Sequence, residues 1–269
     1  IFPWLAELLH IPHSVRLLSE THRLVLFHIQ EGLKQLFRFG NIDAPVQFAI
    51  EIDRGGILAE ATVHMGEVED GSCPLGWDHE LGALGDLENQ PGDMAFVISW
   101  LEEQANSSES PLFQRYDPNQ LIVLGHSMGA ATVLALTRSV CCADTTPKAS
   151  ILISTPTYLM EMAFHESEIQ TDGPPTLLIH GMADPGVAFS FSSDLYQTIA
   201  PPRVLVGLPE TAHSEMLETP TEEPDPSQLV TVDLVDAFIQ RQVGGLETGL
   251  LDLLTELKES GYTVEYDLP

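Results

Sequence analysis

The stretch LIVLGHSMGAATVLALT, residues 121–137, contains no Asp, Glu, Lys or Arg. Hydropathy alone would flag it as a membrane segment. The interruption Gly125-His126-Ser127-Met128-Gly129 makes a strand, a sharp turn and a helix the better reading. Leu121 to Leu124 form the buried strand, and the apolar run after Gly129 forms the helix. Small residues on either side of Ser127 let the backbone reverse without clashing, which leaves the hydroxyl exposed above the sheet. The helix that follows would offer the Met128 N–H to a negative charge developing beside Ser127. A bare GxSxG pattern is a weak signal, and its strand-turn-helix setting is what gives it weight.

A serine hydroxyl is a poor nucleophile unless a base takes its proton and a carboxylate orients that base. Two later segments hold both residue types. In PPTLLIHGMADPGV, residues 174–187, a buried strand ends at His180-Gly181 and Asp184 follows in the next loop. In PRVLVGLPETAHSEML, residues 202–217, another strand is followed by His213. Ligand sites in open α/β sheets gather beyond the carboxyl ends of the strands, so Ser127, Asp184 and His213 can converge there. Their chain order is the one in which hydrolases built on such sheets place a serine, an acid and a histidine. Asp172 lies before its strand and Asp194 falls inside an expected helix, so Asp184 is the better-placed acid. His180 is read as packing at a strand end, and His126 as flanking the turn.

Farther out, the pattern stays regular. Apolar strands at Ala149–Ser154, Thr176–His180 and Arg203–Gly207 alternate with helices at Phe189–Ile199, Val230–Gln242 and Leu246–Ser260. A helix at Met94–Gln104 comes before the central strand. Strands that are apolar throughout and alternate with helices predict a mostly parallel sheet covered on both faces. Val46–Ile52 and Ile57–His64, on either side of Asp53-Arg54-Gly55-Gly56, predict a β-hairpin. Residues 66–93 are rich in Gly, Asp and Glu and carry no strand signal. Tyr158, Leu159, Met160, Met162 and Phe164 follow a strand end and fit either a pocket lining or ordinary core.

At the amino end, Val25, Ile29, Leu33, Leu36 and Phe37 lie on one helical face. Residues 3–39 therefore read as two amphipathic helices joined near Ile11-Pro12. Leu24–His28 could also be a strand, but the continuing periodicity favours the helix. The chain thus divides into a helical segment, residues 1–40, and an α/β domain, residues 41–269, whose core begins near residue 91.

The 269 residues include 40 acidic and 11 basic side chains, for a net charge of −29. So acidic a surface repels phosphate and argues against nucleic acid as a partner. Residues 1–40 net +1, which invites contact with a membrane surface, but packing on the sheet is the preferred reading. Cys73, Cys141 and Cys142 make neither a disulfide framework nor a zinc pattern, and the adjacent pair reads as small buried hydrophobes. Asp78, Glu80, Asp86, Glu88 and Asp93 lack calcium-loop spacing. His10, His13, His22 and His28 are too loosely spaced for a metal site. The chain begins at Ile1, so a removed upstream signal is compatible with the sequence and the compartment stays open.

The segments QPGDMAFVISWL, LIVLGHSMGAATVLAL, TLLIHGMADPGV and PETAHSEML together resemble the α/β-hydrolase superfamily. The likeness runs from about Pro91 to the C-terminus, about two thirds of the chain. Within the superfamily the chain is most similar to dienelactone-hydrolase-like and platelet-activating-factor-acetylhydrolase-like esterases, with cutinase-like polyesterases nearby. The resemblance implies Ser127 as nucleophile, Asp184 as acid and His213 as base, cleaving small-molecule or polymeric esters through an acyl-enzyme without metal or cofactor. One feature of the family is not visible. Its second oxyanion donor comes from a His-Gly-rich loop after an early strand, and residues 66–93 show no such loop. Either the front of the sheet is missing or residues 1–65 replace it differently. The alternative function is a catalytically impaired relative that binds a ligand or partner through the same pocket.

Overall fold

The computed structural model describes residues 90–269 apart from 111–112, 115–116, 118–119, 141, 166–167 and 218–223, together with strands at residues 24–28, 46–53 and 56–63. The apolar runs become one eight-stranded sheet: β1 Leu24–His28, β2 Val46–Asp53, β3 Gly56–Val63, β4 Ile122–His126, β5 Ala149–Ile153, β6 Thr176–Gly181, β7 Arg203–Leu208 and β8 Thr263–Asp267. Neighbours in the sheet follow chain order. β1, β2 and β3 are mutually antiparallel, β3 through β7 run parallel, and β8 returns antiparallel on β7. Among the described residues the α-helices are α1 Gln90–Asn106, α2 Met128–Arg138, α3 Leu159–Phe164, α4 Ser190–Thr198, α5 Pro226–Gln242 and α6 Thr248–Glu259.

Alternation along each strand sorts its side chains into two cores. Leu121, Val123, Leu152, Leu178 and Leu205 pack under α1, α2, α3 and α4. Ile122, Leu124, Ile151, Ile153, Leu177, Ile179, Val204 and Val206 pack under α5 and α6. With both faces covered, the central strands are apolar at nearly every position. Helix α1 joins its core through Met94, Ile98, Leu101 and Ala105, a spacing of four, three and four residues that keeps them on one stripe. The architecture is the expected mostly parallel sheet flanked by helices.

Arg138, the last residue of α2, is buried, and its hydrogen bonds among the described residues all go to uncharged oxygens. Its guanidinium donates to the Thr171 carbonyl at 2.6 Å, the Pro174 carbonyl at 2.7 Å and Thr176 Oγ1 at 3.0 Å. Burial lowers its pKa to about 10, which leaves it charged at neutral pH. The side chain ties the end of α2 to the segment that leads into β6.

The structure corrects several expectations. Leu24–His28 is a strand, not part of a helix, and pairs with β2 from Leu24↔Glu51 to His28↔Gln47. The β2–β3 hairpin presents an open edge of unpaired N–H and C=O groups, and LVLFH is rich enough in strand-favouring residues to satisfy it. The rest of residues 1–40 lies outside the described residues. Three strands therefore stand ahead of β4, and the front of the sheet is supplied from residues 24–63.

At the other end of the chain, TVEYD, residues 263–267, adds a strand where none was expected. Its β-branched and aromatic residues alternate with acidic ones as an edge strand requires. Helix α5 starts at Pro226, earlier than expected. Asp225 accepts from Ser227 N–H at 2.8 Å and Gln228 Oε1 accepts from Asp225 N–H at 3.0 Å, a capping box with proline at the first helical position. Cys142 is disulfide-bonded, with its partner outside the described residues, and so is not a small buried hydrophobe. It sits half-buried in the loop after α2, away from either core.

Candidate active site

The turn between β4 and α2 is shaped by steric necessity. An ideal Cβ on Gly125 would lie 2.2 Å from the Gly129 carbonyl oxygen and 2.6 Å from Ala130 N. Only glycine lets the strand and the helix approach so closely. Ser127 takes φ 53° and ψ −120°, a conformation that non-glycine residues rarely adopt and that costs about 1–3 kcal/mol. The surroundings hold it there. Ser127 N–H donates to the Ile153 carbonyl at 2.8 Å, and its own carbonyl accepts from Ala130 and Ala131 N–H at 2.9 and 3.1 Å. Met128 N–H is one of the first-turn amides for which a helix supplies no acceptor.

The other two residues come from neighbouring strand ends that are laced together. Met182 N–H donates to the Leu208 carbonyl at 2.9 Å, and Ala183 N–H to the Thr211 carbonyl at 3.0 Å. Ala212 N–H donates to Glu215 Oε2 at 2.7 Å, at the start of a 3-10 turn at Glu215–Leu217. His213 then meets both partners. Its Nδ1 lies 2.5 Å from Asp184 Oδ2, and its Nε2 lies 2.8 Å from Ser127 Oγ. Because the carboxylate only accepts, Nδ1 carries the proton, and Nε2 is free to accept from the serine hydroxyl.

Electrostatics favour this arrangement. Burial by itself would raise the Asp184 carboxyl. Hydrogen bonds from Val187 N–H, from His213 and from Gly186 N–H outweigh that and hold its pKa below the usual carboxylate value. Both amides donate to Oδ1, at 2.8 Å each, which leaves Oδ2 for the imidazole. His180, fully buried, has its pKa lowered by burial. It donates from Nε2 to the Val187 carbonyl at 2.9 Å and accepts from Ser192 Oγ at 2.7 Å. His180 therefore stands 3.6 Å from Asp184 as a neutral ring and leaves the carboxylate to His213.

The structure thus brings Ser127, His213 and Asp184 into one hydrogen-bonded chain and sets Met128 N–H at the helix start beside the serine. Of the apolar residues after β5, Leu159, Met160 and Phe164 are core. Tyr158 and Met162 are exposed, with the Tyr158 ring 5.4 Å from Phe191. Sequence reasoning missed what His126, Ser154 and Gly181 do here, although glycine at the end of β6 was a visible signal. Of the segment expected to lack an oxyanion loop, residues 66–93, the last four begin α1 and residues 66–89 lie outside the described residues, as do Asp78, Glu80, Asp86, Glu88 and the histidines at 10, 13 and 22. Among the described residues no three His, Cys, Asp or Glu side chains are grouped to hold a metal ion. No described helix is long and apolar enough to cross a membrane.

No family model matches the chain, and no curated protein matches it in sequence. Among solved structures it is similar to a thermophilic esterase from the Planctomycetes species Thermogutta terrifontis. The native form is 17% identical with a TM-score of 0.44, the match covering 61% of this chain and 66% of that one. The butyrate-bound form is 17% identical with a TM-score of 0.44, covering 56% of this chain and 64% of that one. The propionate-bound form has the same identity and score, covering 61% and 67%. In the native form the match spans just under two thirds of the esterase's length.

Proposed function

We propose that the protein is a serine-dependent carboxylic ester hydrolase. The observation that carries this reading is the unbroken chain Ser127 Oγ, His213 and Asp184, with the serine held in a strained turn above the strand end. In the proposed reaction Ser127 Oγ attacks the ester carbonyl carbon as His213 Nε2 takes its proton. Asp184 keeps the other ring proton on Nδ1 and stabilises the imidazolium that forms. The carbonyl oxygen gains negative charge and accepts from Met128 N–H, at the positive end of α2. Collapse breaks the bond to the alcohol, which leaves with the proton from Nε2. Water then attacks the acyl-enzyme by the same proton transfers and releases the acid. Small-molecule or polymeric esters are the substrate class this chemistry serves.

The test is hydrolysis of p-nitrophenyl acetate and butyrate by wild type and Ser127→Ala, with fluorophosphonate labelling of both. Turnover and labelling by wild type, with a loss of about 10⁴-fold or more in the variant, are expected. Equal, near-background rates from folded wild type and variant would overturn the reading and point to a binding role for the pocket.

A further inference from the structure

His126 and Ser127 are consecutive residues, and both bind His213. Ser127 Oγ meets its imidazole, while His126 Nε2–H donates to its backbone carbonyl at 2.9 Å, with the two rings 4.9 Å apart. The same carbonyl accepts a second hydrogen bond, from Ser154 Oγ–H at 3.3 Å. Ser154 directly follows β5, and its N–H is tied to the Ile179 carbonyl at 2.9 Å. One carbonyl in a loop is therefore reached by two side chains, each mounted on the end of a central strand.

We propose that His126 is a positioning residue for the base: together with Ser154 it clamps the His213 main chain, so that the imidazole stands over Ser127. The proposal rests on reading His213 as the base and Ser127 as the nucleophile. Other ties on this loop act at Thr211, Ala212 and, through Gln228 Nε2, at the Glu215 carbonyl, while the His213 carbonyl is the one the clamp holds. A rigid scaffold matters at this point because catalysis requires the base within hydrogen-bond reach of the proton it removes. Since His126 adjoins the nucleophile, any shift of the turn carries base and nucleophile together. The imidazole suits the task because it places an N–H at a fixed reach with only two side-chain torsions to order. Burial keeps the ring neutral despite the favourable bond to His213, so Nε2 carries its single proton toward the carbonyl. The titratable groups acting on it are His213, Asp184 and His180.

The experiment compares His126→Gln, whose amide reaches about as far as Nε2, with His126→Asn, whose amide stops short. Both variants are polar and similarly tolerated. In ester hydrolysis, His126→Asn is expected to lose about 10²-fold in kcat with KM little changed, the scale set by a small misplacement of a reacting group. His126→Gln should restore most of it. Equal kcat in the two variants would overturn the proposal. A second readout is the low-field NMR proton on His213 Nδ1, identified by its disappearance in His213→Gln. It should be shifted or broadened in His126→Asn and retained in His126→Gln, and an identical signal in both would also overturn the clamp. Wild type that neither turns over ester nor takes the fluorophosphonate would instead remove the hydrolase reading, and the NMR proton would still decide the clamp.

Discussion

Gly181 and Thr211 pack main chain against main chain: an ideal Cβ on Gly181 would lie 2.3 Å from the Thr211 carbonyl oxygen and 2.6 Å from that of Ala212. No L side chain fits there unless the loop carrying His213 moves. The end of β6, which leads to Asp184, and the loop after β7, which holds His213, are thereby kept at contact distance. Ala183 N–H completes the seam by donating to the same Thr211 carbonyl.

Gly181→Ala is therefore expected to push the two loops apart. The overpacking should cost about 1–3 kcal/mol in urea unfolding. The same substitution should lower kcat on p-nitrophenyl butyrate, because the imidazole is displaced from Ser127 Oγ. Wild-type values for both stability and kcat would mean that the seam yields without moving His213.

Asp184→Asn should leave the fold intact and still disable the site. Its Oδ1 would keep the amides of Gly186 and Val187, which turns Nδ2 toward His213. That NH2 group donates to Nδ1 and forces the ring proton onto Nε2, where it can no longer accept from Ser127. A loss of about 10⁴-fold in kcat is expected, as for a wrong tautomer in comparable sites. Unchanged melting together with unchanged turnover would remove Asp184 from the mechanism.

Stability should fall on acidification. For His180 and His126 burial lowers the folded pKa below 6.5, so the unfolded chain takes up protons first as pH falls through 6.5. Their contribution is lost progressively below that value, down to their folded pKa. Asp184 acts lower: its folded pKa lies below 3.8, so its contribution is complete above 3.8 and disappears as pH drops through the folded value. Urea unfolding at pH 7.5 and 5.0 should show wild type weaker at the lower pH. His180→Gln, which keeps a donor for Val187, should narrow the difference. An unchanged difference would mean that His180 does not titrate on unfolding.

What could be read from the sequence was what local physics dictates. Gly125, Ser127 and Gly129 announce a tight turn because only small residues let β4 meet α2, and strand ends point to Asp184 and His213. β1 was hidden because the edge it pairs with starts at Val46, eighteen residues after the strand ends, while its own periodicity suited a helix. The His126 contact joins residues 87 positions apart and engages a main-chain oxygen, which no side-chain pattern encodes. The α5 start was legible in Asp225-Pro226-Ser227-Gln228 but was masked by the acidic loop around it.

The clamp at Arg138 has a consequence for the conditions in which this chain stays folded. Its acceptors are two carbonyl oxygens and a hydroxyl, none of which takes up a proton in acid. Dissolved ions reach a buried guanidinium poorly, so brine that weakens exposed ion pairs leaves this joint intact. The residues at 171 and 174 contribute only their peptide oxygens, so their side chains are free to change. Gly173 is not, since an added Cβ would meet the guanidinium carbon at 2.8 Å. A protein carrying so many carboxylates thus has, at the foot of α2, a fastening whose hydrogen bonds all go to uncharged oxygens.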